Sequence, residues 1–412
     1  MDKNIQKFYT ECLTQDFLPY WTKFVDEDYG GILNCINNYG DQLLAEDKFT
    51  WSQGRWLWVL SRVYGLQQEG KLDAVPMETL RRWMNGTWTF LTKHCMDDHN
   101  ICCFVLTRKG EKKIDAATGR YDASIYADCF ALIGMAMYVK ALNAADKFPE
   151  VEALYRSIRD RIERSDYLTQ PYPVPEGFCT HGIPMILLNS VHEYIRMKKA
   201  LGLDVSDEVL YARSKLDFIL TELYNGQGYI YEYKRLGAEV PQTLLERHLK
   251  PGHTLEDAWF WVEFLEEFGG LEDYLPKIEK IVRETFAIGW DEEYGGIFCF
   301  VDCYGGAPKG ARFGGAQETL IVDTWDTKLW WVHSELLYLF LKMHRVTGNP
   351  EYLEYYQKCA DYAFSVFPNR QTGEWIQIRR RDGTPEDKIV ALPVKDPFHI
   401  MRNFIKILEL GN

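Results

Sequence analysis

Apolar residues recur at helical spacing in about twelve successive segments, and that even count limits the fold more than any other feature. The segments span roughly 2–24, 51–69, 76–96, 124–142, 148–167, 184–201, 205–223, 253–268, 271–288, 325–346, 350–366 and 397–411. Neighbouring segments read as helical hairpins: at Gly348-Asn349-Pro350 one helix stops and the next starts, because Asn caps a helix and Pro suits its first position. The segments are of two kinds. Segment 205–223 sets Val209, Ala212, Leu216, Ile219 and Leu220 on one face, with Asp207, Arg213 and Asp217 elsewhere, as an outer helix would. Segment 124–142 is apolar nearly all round, as befits an inner helix covered on every side. Helical hairpins must bury their inner faces against neighbours, and closing six of them into a ring does so without exposed ends. The expected fold is therefore all-α, an (α/α)6 barrel over residues 1–412 as one domain, with short β-hairpins in the connecting loops. A near-repeat supports it: Asp26-Glu27-Asp28-Tyr29-Gly30-Gly31 and Asp291-Glu292-Glu293-Tyr294-Gly295-Gly296 each follow a helical segment and precede a short apolar run.

A chain of 412 residues, 46% apolar and 26% charged, has material for a large core, and its net charge of −13 argues against a nucleic-acid partner. The longest nearly uninterrupted apolar run, Cys129–Val139, is short for a bilayer, and the first ten residues are too polar for a signal peptide, so no membrane partner and a cytoplasmic location are expected. Ten scattered cysteines fit reduced, buried thiols. The cluster His94, Cys95, His99, Cys102 and Cys103 matches no zinc spacing, and no metal is expected. The loop Gly305-Gly306-Ala307-Pro308-Lys309-Gly310-Ala311 lacks the Lys that a phosphate loop places after its last glycine, and no Gly-x-Ser-x-Gly nucleophile elbow occurs.

The aromatic load points elsewhere. With 13 Trp, 25 Tyr and 22 Phe, the chain sets rings beside polar groups, as in Trp51-Ser52-Gln53-Gly54-Arg55-Trp56 and Lys328-Leu329-Trp330-Trp331-Val332-His333. Such mixtures suit sugars, which offer C–H faces and a rim of hydroxyls. Two histidines, His253 after Lys250-Pro251-Gly252 and His399 after Asp396-Pro397-Phe398, stand at helix starts. There the helix dipole lowers an imidazole pKa and favours the neutral base, although either residue could equally be a structural cap.

Taken together, Trp51–Trp58, Gly182–Asn189, Pro251–Glu256, Lys328–Glu335, Gly373-Glu374-Trp375 and Phe398–Arg402 resemble, in order, the motifs of the N-acylglucosamine 2-epimerase family. The resemblance implies an (α/α)6 barrel and reversible epimerisation at C2 of an aldose, between N-acetylglucosamine and N-acetylmannosamine. Such a reaction takes a proton from one face of C2 and returns it to the other through an enediolate, and two groups with pKa near the working pH must flank the carbon. The resemblance assigns them to His253 and His399, and assigns Arg55 to the C1 oxygen, with an inner-ring ion pair as the alternative for Arg55. It makes Tyr126 and His181 polar substrate contacts and sets Trp331 and Trp51 against the sugar, while Trp330 packs. Glu256, one turn beyond His253, orients that imidazole, accepts a sugar hydroxyl or caps the helix. His333 and Glu335 are left as structural. Cellobiose 2-epimerases carry a tryptophan shortly before the last histidine, where this chain has Leu392-Pro393-Val394-Lys395, so a monosaccharide is expected. The family further implies a homodimer, no required cofactor, and ATP as a candidate activator that is not consumed.

Rival readings use the same residues. Mannose–glucose epimerisation or aldose–ketose isomerisation needs only a different group at C2 or a proton returned to C1. A glycoside hydrolase would need two carboxylates, for which Asp26, Asp291 and Glu374 are available but are explained by their turns. An inactive sugar-binding scaffold would have no use for both histidines.

Overall fold

Twelve helices, taken alternately, form an inner and an outer ring in the computed structural model, which describes residues 3–235, 237, 241–388 and 392–411. They are α1 (Lys3–Glu11), α2 (Thr50–Gln68), α3 (Met77–Phe90), α4 (Ile125–Leu142), α5 (Phe148–Glu163), α6 (Gly182–Ala200), α7 (Ser206–Phe218), α8 (Pro251–Phe268), α9 (Leu271–Gly289), α10 (Trp330–Thr347), α11 (Glu351–Val366) and α12 (His399–Leu410). Even-numbered helices pack side by side as the inner ring, with α12 touching α2 and α1 packing on α12 to close it. The fold is the (α/α)6 barrel, and the physical reason is visible in α4. That helix is long and apolar enough to cross a membrane by length and composition, contrary to what its longest apolar run suggested, and 78% of it is buried inside the barrel. The α2–α4 crossing is so tight that a Cβ on Gly54 would lie 2.2 Å from the Phe130 carbonyl oxygen, and one on Gly134 would lie 2.1 Å from that of Gly54.

The helical boundaries differ from expectation where other forces intervene. Residue 2 of the first segment lies outside the described residues, and the rest breaks into α1, a π-helical stretch Cys12–Phe17, Leu18–Trp21 and a 3-10 turn. Segment 325–346 starts late, at Trp330, because Lys328–Leu329 pairs as a strand with Ile378–Arg379. Two loop helices, Leu244–Arg247 and Ala316–Thr324, had no periodic signal. Of the strand pairings, Cys35–Ile36 with Leu43–Ala45 and Val105–Leu106 with Lys112–Lys113 are local hairpins. The other four join one connection to a later one: Lys48–Phe49 to Val105–Leu106, Phe178–Thr180 to Tyr233–Arg235, His248–Leu249 to Val301–Asp302, and Lys328–Leu329 to Ile378–Arg379. They tie together the segments that lead into neighbouring inner helices.

The repeated hexapeptide is a repeated structure. Asp26 receives the buried Lys48 ammonium at 2.8 Å and the Arg108 guanidinium at 2.9 and 3.0 Å. Asp291 receives the buried Lys328 at 3.1 Å and Arg381 at 2.8 and 3.1 Å. Gly31 and Gly296, at φ of 84° and 75°, turn the chain so that the next amide reaches an inner helix. Ile32 N–H donates to Gln53 on α2, and Ile297 N–H to His333 on α10.

Candidate active site

All six inner helices start at the same end of the barrel, and their opening turns enclose a cavity of roughly 860 Å³ counted to its open mouth. Trp51 and Arg55 come from α2, Tyr126 and Phe130 from α4, and Met185 and Asn189 from α6. His253, Glu256 and Phe260 come from α8, Trp330 and Trp331 from α10, and His399 and Arg402 from α12. Tyr172 and Lys250 complete the wall from loops. Six helix N-termini thus face one space, a field that favours developing negative charge.

Both histidines lie against the Trp331 indole, whose ring centroid is 5.7 Å from that of His253 and 5.5 Å from that of His399. Each is held through Nδ1 by a carboxylate. His253 Nδ1 lies 3.0 Å from both oxygens of Glu232, and His399 Nδ1 lies 2.6 Å from Glu335 Oε1. A carboxylate on Nδ1 makes that nitrogen the donor and leaves Nε2 as the basic one. Burial, with Glu232 opposing it, pushes the His253 pKa down to about 4. Desolvation is thus what makes this imidazole neutral.

Arg55 donates to Asp396 at 3.0 Å and to His399 Nε2 at 3.1 Å, with its guanidinium over the rings of Phe130, Trp51 and Phe398. It is both the ion pair and a cavity group. Arg402, buried, bridges Glu256 and Glu335. Glu335 Oε2 also accepts from Trp259 at 2.8 Å, and although burial opposes it, the charges of Arg402 and His399 lower its pKa to about 2.

Seven of the eight residues expected at the site, His253, His399, Arg55, Glu256, Tyr126, Trp331 and Trp51, meet in this cavity, and His181 does not. His181 is fully buried beside His253, with ring centroids 6.2 Å apart, and its Nε2 is 2.8 Å from Asp257. The residue precedes α6, and its side chain turns toward α8 instead of the cavity. Glu256 does not orient His253: it bonds Arg402 and lies 3.6 Å from His399 Nδ1. Trp330 lines the cavity beside Trp331, because both stand at the very start of α10. Glu335 is not merely structural, since it holds His399. Glu232 carried no sequence signal, because it stands in a loop between aromatic residues, and only the pairing of Phe178–Thr180 with Tyr233–Arg235 brings it to His253.

Two groupings of three donors among the described residues, His181–Glu232–His253 and Glu256–Glu335–His399, are close enough to hold an ion. In both, hydrogen bonds between histidine and carboxylate account for the approach. The cysteines of the His94–Cys103 stretch are buried and His99 is exposed, so no such grouping forms there among the described residues. In the glycine loop 305–310, Asp302 takes the amides of Tyr304 and Lys309 that a phosphate would need.

Comparison with known proteins follows this geometry. The N-acylglucosamine 2-epimerase (GlcNAc 2-epimerase) family model matches residues 209–402. The N-acylglucosamine 2-epimerase of Bos taurus is 27% identical over 396 residues, covering 94% of this chain and 86% of its own. The chain resembles this family, by the model over residues 209–402 and by the relative over nearly its whole length. It is an enzyme of the epimerase class. Among solved structures, the cellobiose 2-epimerase of Bacillus thermoamylovorans superposes with a TM-score of 0.77 at 16% identity, covering 99% of this chain and 100% of its own. A D-mannose isomerase does so with a TM-score of 0.76 at 13% identity, covering 99% and 98%. At such identities these two carry the fold alone.

Proposed function

We propose that this epimerase interconverts N-acetyl-D-glucosamine and N-acetyl-D-mannosamine by moving the C2 proton across the cavity between His253 and His399. The observation that carries the reading is the pair of imidazoles that line one cavity against Trp331, each with a carboxylate on Nδ1. In one direction neutral His253 takes the proton from C2 of the ring-opened sugar through Nε2. Charge moves to the C1 oxygen as an enediolate, where Arg55 and the converging helix N-termini stabilise it. His399, held through Nδ1 by Glu335, returns a proton to the opposite face. In the reverse direction the roles exchange. Asn189 and Lys250, which make no side-chain hydrogen bond or ion pair among the described residues, offer donors for the acyl oxygen. No electron is transferred, and the residues named account for both proton transfers, so we assign no cofactor. ATP activation and a homodimer are carried by the family resemblance alone.

The test is proton NMR of the protein with N-acetylmannosamine in D2O, with N-acetylglucosamine, mannose and glucose in parallel. The expected result is the C2 epimer of the N-acetyl sugar carrying deuterium at C2. Exchange confined to mannose or glucose, or appearance of a ketose, would move the substrate to an unmodified sugar, and no exchange with any of the four would overturn the mechanism.

A further inference from the structure

Behind His253 lies a row of buried ionisable groups that touches no part of the cavity. Asp257 Oδ2 is 2.8 Å from His181 Nε2, His181 Nδ1 is 3.7 Å from Glu232 Oε2, and Glu232 meets His253 Nδ1 at 3.0 Å. The His181 and Asp257 side chains have no solvent exposure, and that of Glu232 is 8% exposed. The row is assembled from three places in the chain: Glu232 from a loop, His181 from the residue before α6, and Asp257 from the first turns of α8, one residue beyond Glu256. The His181 amide donates to the Glu232 carbonyl at 2.9 Å, which continues the strand pairing and fixes the register of the two side chains.

An imidazole bonded to one carboxylate through Nε2, with a second carboxylate 3.7 Å from Nδ1, is favoured as the imidazolium, whose positive charge faces both. A carboxylate as deeply buried as Glu232 stays ionised only beside compensating positive charge. If Glu232 were to take up a proton, it would offer His253 a donor instead of an acceptor, and the imidazole would turn its basic lone pair away from the cavity. We propose that His181 and Asp257 are positioning residues: His181, as an imidazolium held by Asp257, keeps Glu232 ionised, and Glu232 in turn holds His253 in the Nδ1–H tautomer with Nε2 facing the substrate. This rests on the reading of His253 as an acid–base group. The shifts agree in direction. Burial alone would lower the His181 pKa, but Asp257 and Glu232 raise it to about 9, and although burial opposes it, His253, His181 and Lys250 pull Glu232 well below the usual carboxylate range. The charged and titratable groups that face the row are Tyr126 from α4, Tyr172 and Cys299 from loops, Tyr233 from the strand that follows Glu232, His248 and Lys250 from the segment before α8, and His253 itself.

The test has two arms, and the first needs no substrate. Nitrogen-15 NMR of histidine-labelled, substrate-free protein near neutral pH should show both His181 nitrogens protonated, and His253 protonated at Nδ1 only. In His181→Gln the His253 pattern should lose its single tautomer. A neutral His181 in the wild-type protein, or an unchanged His253 tautomer in His181→Gln, would overturn the proposal. In the second arm, His181→Gln and Asp257→Asn should each lower kcat by about 10–100-fold with KM unchanged, because neither side chain lines the cavity. Both should also move the acidic limb of kcat/KM to higher pH, because His181→Gln removes the imidazolium beside Glu232 and His253, and Asp257→Asn removes the carboxylate that keeps His181 protonated. A fall in kcat with the limb unmoved would mark a packing role and overturn the proposal. Should His181→Gln not fold, the wild-type spectrum and Asp257→Asn still decide. A protein that shows the expected tautomers yet epimerises no sugar would fail the functional reading while leaving this one intact.

Discussion

The two repeat units of the barrel use one frame to deliver opposite charges to one ring. In the first, Asp26 and Lys48 anchor the entry to α2; in the second, Asp291 and Lys328 anchor the entry to α10. Counting from each lysine, Trp51 corresponds to Trp331, Gln53 to His333 and Arg55 to Glu335. The equivalent tryptophans both line the cavity, and Gln53 and His333 both accept an isoleucine amide from the glycine turn. At the last pair the units part: Arg55 meets His399 at Nε2 and Glu335 meets it at Nδ1. The frame is a stability device, repeated because it solves the same packing problem twice. The side chain seven residues on is free to differ, and there the chemistry resides.

The far end of the inner ring sharpens the contrast. Glu263 takes Arg196 at 3.0 Å and Lys406 at 2.8 Å, and Glu267 takes His192 at 2.9 Å. Carboxylates and cations there pair with one another, whereas at the mouth Lys250, over the rings of Tyr172 and Trp331, makes no ion pair among the described residues.

The largest expected effect is at the residue on which both units converge. His399→Asn should lower turnover by about 10²–10⁴-fold, read as loss of C2 deuterium incorporation. Wild-type exchange in that variant would detach the repeat from catalysis. Next come the anchors: Asp26→Ala and Asp291→Ala each leave a buried ammonium with backbone carbonyls but no counter-charge, and each should cost about 3–5 kcal/mol in urea unfolding. Similar losses in the two variants would establish that the frames are equivalent, and a loss confined to one would break the comparison. Arg55→Lys, which keeps the charge but loses the planar fork, should cost about 10²–10³-fold in kcat with little change in stability. Glu335→Gln should reduce kcat too, and an equal loss in both would mean that the two contacts serve one imidazole together. The smallest effect is a gradual one with acid. Although burial opposes it, Arg108 and Lys48 take Asp26 down to about 2, and Arg381 and Lys328 take Asp291 lower still. Both folded values are depressed, so the stability these groups contribute is complete above the unfolded carboxylate pKa of about 3.9 and is lost as pH falls through the folded values. The urea midpoint should therefore decline between about pH 4 and about pH 2, and less steeply in Asp291→Ala.

The sequence by itself determined the ring. Helical periodicity separated the half-polar outer helices from the nearly uniform α4, and the hexapeptide repeat marked where the chain turns inward. It also named most of the cavity, because residues in the opening turns of inner helices are neighbours in sequence motifs as well as in space. Only the tertiary structure decided which groups touch. Glu232 reaches His253 through strand pairing between distant loops, His181 turns from the cavity to Asp257, and Glu256 serves Arg402 and His399 instead of the histidine one turn before it. Periodicity reports which face of a helix is buried, a local property of the chain. A side chain's partner depends on where separate helices place their first turns around the barrel, and that is fixed only when the ring closes.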